Sequence, residues 1–152
     1  MAGSLGFPSM NPVVERVASK LLGVHQWLYG VTDGRIGRSI GGRPMLLLHT
    51  VGRKTGNPRT SALLYVPHGA SYAVIASKGG NPLHPGWYHN LVAQPDVDIR
   101  VGRTRVPVRA RIAEGEERST LWARADEIND GGYERYQSRT DRKIPVVVLD
   151  PR

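Results

Sequence analysis

From residue 45 onward the apolar residues come in short runs, each bounded by glycine, proline or asparagine. Met45–Val51, Thr60–Val66 and Tyr72–Ser77 are three such runs, and their length and boundaries predict strands joined by turns. Val97, Ile99 and Val101 alternate with polar residues, as do Val106, Val108, Ala110 and Ile112. Gly102-Arg103 between them suits a two-residue hairpin turn with glycine first. Trp87–Gln94 reads as a short helix stopped by Pro95, Glu114–Ile128 as an amphipathic helix, and Val146–Leu149 as a final strand. Five or six short strands with three helices give an α+β fold, a small β-barrel or strongly bent sheet closed by helices.

The third helix lies upstream. Asn11-Pro12 is an N-cap followed by proline at the first helical position, and Val14, Val17, Leu21, Val24 and Leu28 recur at helical spacing. A helix over 12–30 follows, preceded by a flexible lead at 1–10 and succeeded by a glycine-rich linker, Thr32–Gly42. Residues 11–152 are then one domain, as the length favours. Trp27, Tyr29 and the apolar face of that helix have two readings, closure of the barrel mouth or peripheral contact with a membrane. The first ten residues carry neither a basic start nor a long apolar stretch, so the expected address is the cytoplasm.

Charge narrows the partners. The formal net charge is +8, and 17 of the 21 basic residues are arginines. Guanidinium groups bind phosphates and carboxylates through paired hydrogen bonds, so an anionic partner fits, as does a solvated surface. Arg100, Arg103, Arg105, Arg109 and Arg111 gather on or near the polar face of the hairpin. No aromatic residue lies between them, so a base-stacking platform is missing and no nucleic-acid partner is expected. Cysteine is absent, which excludes disulfides, thiol nucleophiles and thiolate metal sites. The five histidines show no metal-binding spacing, and no Gly-x-Ser-x-Gly elbow occurs. A chain so equipped needs a cofactor to bring the reactive atom.

Three segments could hold one. Gly52-Arg53-Lys54-Thr55-Gly56-Asn57-Pro58-Arg59 puts three cations into a glycine-bounded turn between two strands, read either as an anion site or as a plain hairpin. Ala76-Ser77-Lys78-Gly79-Gly80 is a second small-residue loop with a lysine, followed by the aromatic helix opening Trp87-Tyr88. Tyr133 and Tyr136 share one face if their segment is helical, either as a lid on a pocket or as partly buried surface tyrosines.

These segments, in this order, resemble the deazaflavin-dependent nitroreductase family of flavin and deazaflavin oxidoreductases. The text that carries the resemblance is LLLHTVGRKTGNPR, then VIASKGGNPLHPGWYHNLVAQPDVDI, then YERYQSRTDRKIPVVVL. The resemblance implies a split β-barrel of the FMN-binding type and the cofactor coenzyme F420, a 5-deazaflavin with a phosphate and oligoglutamate tail. It implies that Arg53, Lys54, Thr55, Gly56, Pro58 and Arg59 hold the tail. Thr60, Ser61, Ala62, Leu63 and Leu64 would run beside the ring. Ala76, Ser77, Lys78 and Gly79 would line it, and Trp87, Tyr88, Asn90 and Leu91 would complete that wall.

The implied reaction is hydride transfer from reduced F420 to an electron-poor acceptor, a quinone, enone or nitro compound. Tyr133 and Ser77 are the candidates for catalysis, and Leu64, Tyr133 and Tyr136 for substrate contact. Leu64 and Asp130 stand where some relatives active on nitro compounds carry tyrosines, which weighs toward quinones and conjugated carbonyls. An FMN-binding split-barrel oxidoreductase and a non-catalytic F420 carrier are the alternatives; no metal is implied. The assembly is expected to be a monomer or homodimer.

Overall fold

The computed structural model describes residues 39–40 and 42–152, with side chains from residue 42 onward. The expected lead at 1–10 and helix at 12–30 lie outside the described residues, as does most of the linker. The linker's end is nonetheless structured, since Ser39–Ile40 forms a short strand, β1, paired with the start of β2.

The remaining elements are β2 (Arg43–Val51), β3 (Pro58–Leu64), β4 (Val66–His68) and β5 (Ser71–Ile75), then a 3-10 turn at Lys78–Gly80. Next come α1 (Gly86–Ala93), β6 (Asp96–Val101), β7 (Thr104–Ile112), α2 (Gly115–Ile128), α3 (Gly132–Gln137) and β8 (Val146–Pro151). Eight strands thus stand among the described residues where five or six were expected. The surplus comes from β1 and from a break in the expected run Thr60–Val66. Tyr65 leaves the strand there and donates its backbone N–H to Pro44 O (3.1 Å), so β4 starts afresh on a new partner. The hairpin has the expected register, Val101 opposite Thr104, and Gly102 sits at φ 59, which glycine tolerates at the first turn position.

All pairings in the sheet are antiparallel, in the order β1-β2-β6-β7-β8-β5-β4, with β3 also on β2. Strands β3 and β4 therefore sit at opposite ends of the sheet, yet only Tyr65 separates them in the chain. The sheet has to curl until its two edges meet at that residue, which makes a half-barrel. Tyr65 seals the join with an edge-on contact to Tyr72 of β5, ring centres 5.5 Å apart.

Both faces of the curl are covered, and β8 shows why its sequence does not alternate. Val147 and Leu149 point to the side filled by Leu91 of α1, whereas Val146 and Val148 point to the side covered by Leu121 and Ala125 of α2. A strand buried on both faces reads as a continuous apolar run. Leu121 and Ile144 are fully buried on the second side, and each such side chain contributes about 1.5–3 kcal/mol through burial.

An ion network ties β7 to β4, β8 and α2. Arg111 donates through Nη1 and Nη2 to Glu117 (2.5 and 2.9 Å) and through Nε to Asp150 (2.6 Å), while His68 Nε2 lies 3.1 Å from Glu117 Oε2. The bonds from Arg111, then the contact with His68, hold the Glu117 carboxyl at about 2, below the ordinary carboxylate range. A carboxyl depressed on folding stabilises the fold above its unfolded value, near 4.5, and loses that contribution as pH falls toward 2. Glu117→Gln is expected to unfold at higher pH than wild type in an acid titration followed by circular dichroism. The two curves should converge below pH 2, because the wild-type carboxyl is then protonated as well.

Candidate active site

The β2–β3 ribbon organises the site. Its turn is closed by Gly52 N–H to Asn57 O and Gly56 N–H to Gly52 O, both 2.8 Å, with Gly56 at φ 71. Asn90 on α1 fixes the turn's position. Its Oδ1 accepts from Arg53 N–H (3.0 Å) and its Nδ2 donates to Thr50 Oγ1 (3.2 Å). The Asn90 side chain is thus buried and ties the turn to α1.

The cations of this turn differ from those of the hairpin. Arg105 pairs with Asp98 (2.9 Å), Arg109 with Asp96 (2.9 Å), and Arg111 with Glu117 and Asp150. Much of the arginine stripe is therefore neutralised within the sheet. Arg53, Lys54 and Arg59 are exposed, and among the described residues no carboxylate pairs with them. An exposed cluster of like charges repels itself unless an anion joins it.

At the far end of the ribbon lies a cleft of about 350 Å³, lined by residues of β2 (Arg43, Met45), β3 (Leu64), the loop after β5 (Ser77, Gly79) and the α2–α3 region (Asn129, Tyr133, Tyr136). Five residues named from the sequence meet there, namely Leu64, Ser77, Gly79, Tyr133 and Tyr136. From the Val51–Pro58 pair to the Met45–Leu64 pair the ribbon runs about 20 Å at the usual strand rise. Thr60, Ser61, Ala62 and Leu63, all half-buried, lie along the interval.

Tyr133 is the most telling group in the cleft. It is 6% exposed, and its ring packs against Trp122 and Tyr136, with centres 6.2 and 6.1 Å away. Among the described residues nothing hydrogen-bonds its hydroxyl, an uncommon state for a buried phenol. Burial, reinforced by Tyr136 and opposed by Arg43, pushes its pKa up to about 12. The hydroxyl therefore keeps its proton at neutral pH and can donate a hydrogen bond to whatever enters. Helix α3 exists as required for the two tyrosines to share a face.

Arg43, Met45 and Asn129 line the cleft without having been singled out in the sequence. Met45 had a signal, for the register of the β2–β3 ribbon puts it directly opposite Leu64. Arg43 had none, because its role rests on a long-range contact. Its Nη1 donates to Asn129 Oδ1 (2.8 Å) and its Nη2 to Asp130 Oδ2 (2.7 Å), tying β2 to the α2–α3 junction. Four other expected residues are elsewhere. Ala76 is fully buried, Trp87 packs on the core inside the curl, and Tyr88 and Leu91 face a separate groove with Val92, Pro95, Ala110 and Ile112. Lys78 stands between Ser77 and Gly79, with its own backbone left-handed at φ 44.

An F420-like molecule suits what is present. The unpaired cations at one end match a phosphate and carboxylates. The half-open strand edge offers room along about 20 Å of ribbon. The cleft supplies a proton-bearing phenol in a lining that also includes Met45, Leu64 and Tyr136. No helix among the described residues is long and apolar enough to cross a membrane.

Comparison with known proteins agrees with this chemistry. The family model described as F420H(2)-dependent quinone reductase matches residues 21–151. The F420H(2)-dependent quinone reductase of Mycobacterium tuberculosis H37Rv is 50% identical over 139 residues, covering 90% of this chain and 93% of that protein. Among solved structures, one titled as an F420-H2 dependent reductase (FDR-A) superposes with a TM-score of 0.65 at 43% identity, covering 71% of this chain and 95% of its own. A structure titled as a domain-swapped dimer gives 0.66 at 38% identity, covering 92% of this chain and all of its own. The heme storage protein HutZ of Vibrio cholerae, at 21% identity and a TM-score of 0.54, shares the fold alone.

Proposed function

Since the chain belongs to the F420H(2)-dependent quinone reductase family, a group of split-barrel oxidoreductases, we propose that its acceptor is a quinone bound in the cleft beside Tyr133. Coenzyme F420 is the hydride donor of the family, and when bound it supplies a two-electron reductant at its deazaflavin ring. The observation that carries the site assignment is Tyr133 itself, a buried phenol with no protein partner for its hydroxyl among the described residues and a pKa near 12.

The roles follow from the chemistry of each group. Arg53, Lys54 and Arg59, with the turn residues Thr55, Gly56 and Pro58, hold the anionic tail. Thr60 to Leu64 flank the ring, and Ser77, Lys78 and Gly79 bring hydroxyl and backbone groups to its edge. Leu64 and Tyr136 exclude water from one side of the acceptor. Tyr133 donates a hydrogen bond to an acceptor oxygen, and that bond strengthens as the oxygen gains negative charge. Ser77 is the second candidate to relay the proton. A homodimer is the assembly that the domain-swapped relative supports.

The direct test is a fluorescence titration with F420 and, in parallel, FMN, followed by turnover with a quinone. Tight F420 binding with weak FMN binding is expected, and FMN preference would sink the reading. Tyr133→Phe removes the donor while keeping the ring. It should lower kcat about 10- to 100-fold, since solvent can replace a general acid only in part. F420 affinity should stay within about twofold, a change worth under 1 kcal/mol. With burial pushing the phenol up to about 12, any basic limb from Tyr133 in the pH–rate profile should lie well above neutral pH.

A further inference from the structure

Arg142 lies outside the lining of the cleft, yet its guanidinium grips the loop that forms one wall. Nε donates to Asn81 O (2.8 Å), Nη2 to Ser77 O (2.7 Å) and Nη1 to Ala76 O (3.2 Å). Nη1 also lies 3.2 Å from Nδ1 of His84, a histidine whose pKa is lowered by burial and then by Arg142 and His89. Three carbonyls from the two ends of one turn thus converge on a single planar cation. Converging carbonyl dipoles repel one another, and a guanidinium fork can satisfy all three at once in a way that a point charge cannot.

The turn between those carbonyls is one that a chain does not adopt freely. Lys78, Gly79 and Gly80 are left-handed in succession, with φ of 44, 62 and 81. A lysine in that region is strained and persists only where the surroundings over-determine it. Within the turn, Gly80 N–H bonds Ser77 O (2.9 Å) and Asn81 N–H bonds Lys78 O (3.0 Å), so Ser77 O is shared between the turn's own bond and Arg142.

We infer that Arg142 is a positioning residue for the reductase, fixing the backbone of residues 76–81 so that Ser77 and Gly79 face the cleft. This rests on the cleft being the F420 and quinone site. Arg142 touches no reacting atom; it acts through the loop, and its loss lets the turn relax away from the cleft.

The experiment compares Arg142→Ala and Arg142→Lys with wild type, and uses Arg103→Ala, at the exposed tip of the hairpin, as a control. Amide hydrogen exchange without cofactor reads the turn itself. In Arg142→Ala the Gly80 and Asn81 amides should exchange at least about tenfold faster, with the β6–β7 amides unchanged. F420 affinity should fall about tenfold. Millimolar guanidinium should restore part of it, and the same concentration of sodium chloride should not. Arg142→Lys should resemble alanine more than wild type, and it carries the comparison if alanine fails to fold.

Unchanged exchange at Gly80 and Asn81 would overturn the inference. So would acceleration spread evenly over the whole sheet, or an affinity loss that guanidinium does not restore. Wild type that fails to bind F420 would overturn the functional reading separately, because the exchange measurement needs no cofactor.

Discussion

Replacing Arg53 and Lys54 together by alanine is expected to weaken F420 binding by on the order of 100-fold at low salt, with little change for FMN. The reasoning is local. Both side chains are exposed and unpaired with any carboxylate among the described residues, so no internal partner is orphaned by their removal and the fold should keep its melting temperature. Each hydrogen-bonded cation on a phosphate or carboxylate is worth about 1.5 kcal/mol, and two amount to about 3 kcal/mol. FMN lacks the oligoglutamate and so loses less. Because the contacts are exposed, the wild-type advantage should shrink as salt rises, and the double variant should show a flatter salt dependence. A fluorescence titration at two ionic strengths checks both points. Equal loss of F420 and FMN would place the cations at a phosphate common to the two cofactors and remove the argument from the tail.

The second large effect concerns Gly80. At φ 81 it is closed to most side chains, and a Cβ built there would lie 2.5 Å from the backbone oxygen of Tyr136 and 3.1 Å from Cβ of Arg139. The obstacle is helix backbone, which cannot swing aside. Left-handed strain of about 1–2 kcal/mol and overpacking of about 1–3 kcal/mol both apply to Gly80→Ala. At about 2–4 °C per kcal/mol for a protein of this size, the melting temperature should fall by roughly 10 °C. Gly79→Ala separates the two causes, since Gly79 has φ 62 but open space where a Cβ would go. It should lose only the strain component, a few degrees. Similar melting temperatures for the two variants would show that the contact between this turn and α3 contributes little.

These two glycines also mark the limit of what the sequence discloses. Short apolar runs with turn residues between them announce the strands, and the Gly102-Arg103 hairpin is legible because its chemistry is contained in two residues. The meeting of Leu64, Ser77 and Tyr133 follows from the family resemblance. What stayed hidden depends on contacts between distant segments. Nothing near Arg43 in the chain predicts Asn129 and Asp130 as partners, and nothing near Arg142 predicts three carbonyls more than sixty positions away. Asn90 shows the same limit, for the family resemblance implies it near the cofactor, but only the fold reveals that it also holds the anion turn through Arg53 and Thr50. The break at Tyr65 was hidden too, because a strand that changes partners keeps the same apolar pattern.

Arg43 bridges the two sides of the cleft, the β2–β3 ribbon and the α2–α3 junction, through Asn129 and Asp130. A molecule lodged between them acts as mortar, adding cohesion between parts of the chain distant in sequence. By linkage, a ligand at 100 times its dissociation constant stabilises the folded state by about 2.7 kcal/mol. Heat resistance can therefore serve as an assay of occupancy, and a panel of quinones can be ranked by the melting point each confers before any turnover is measured.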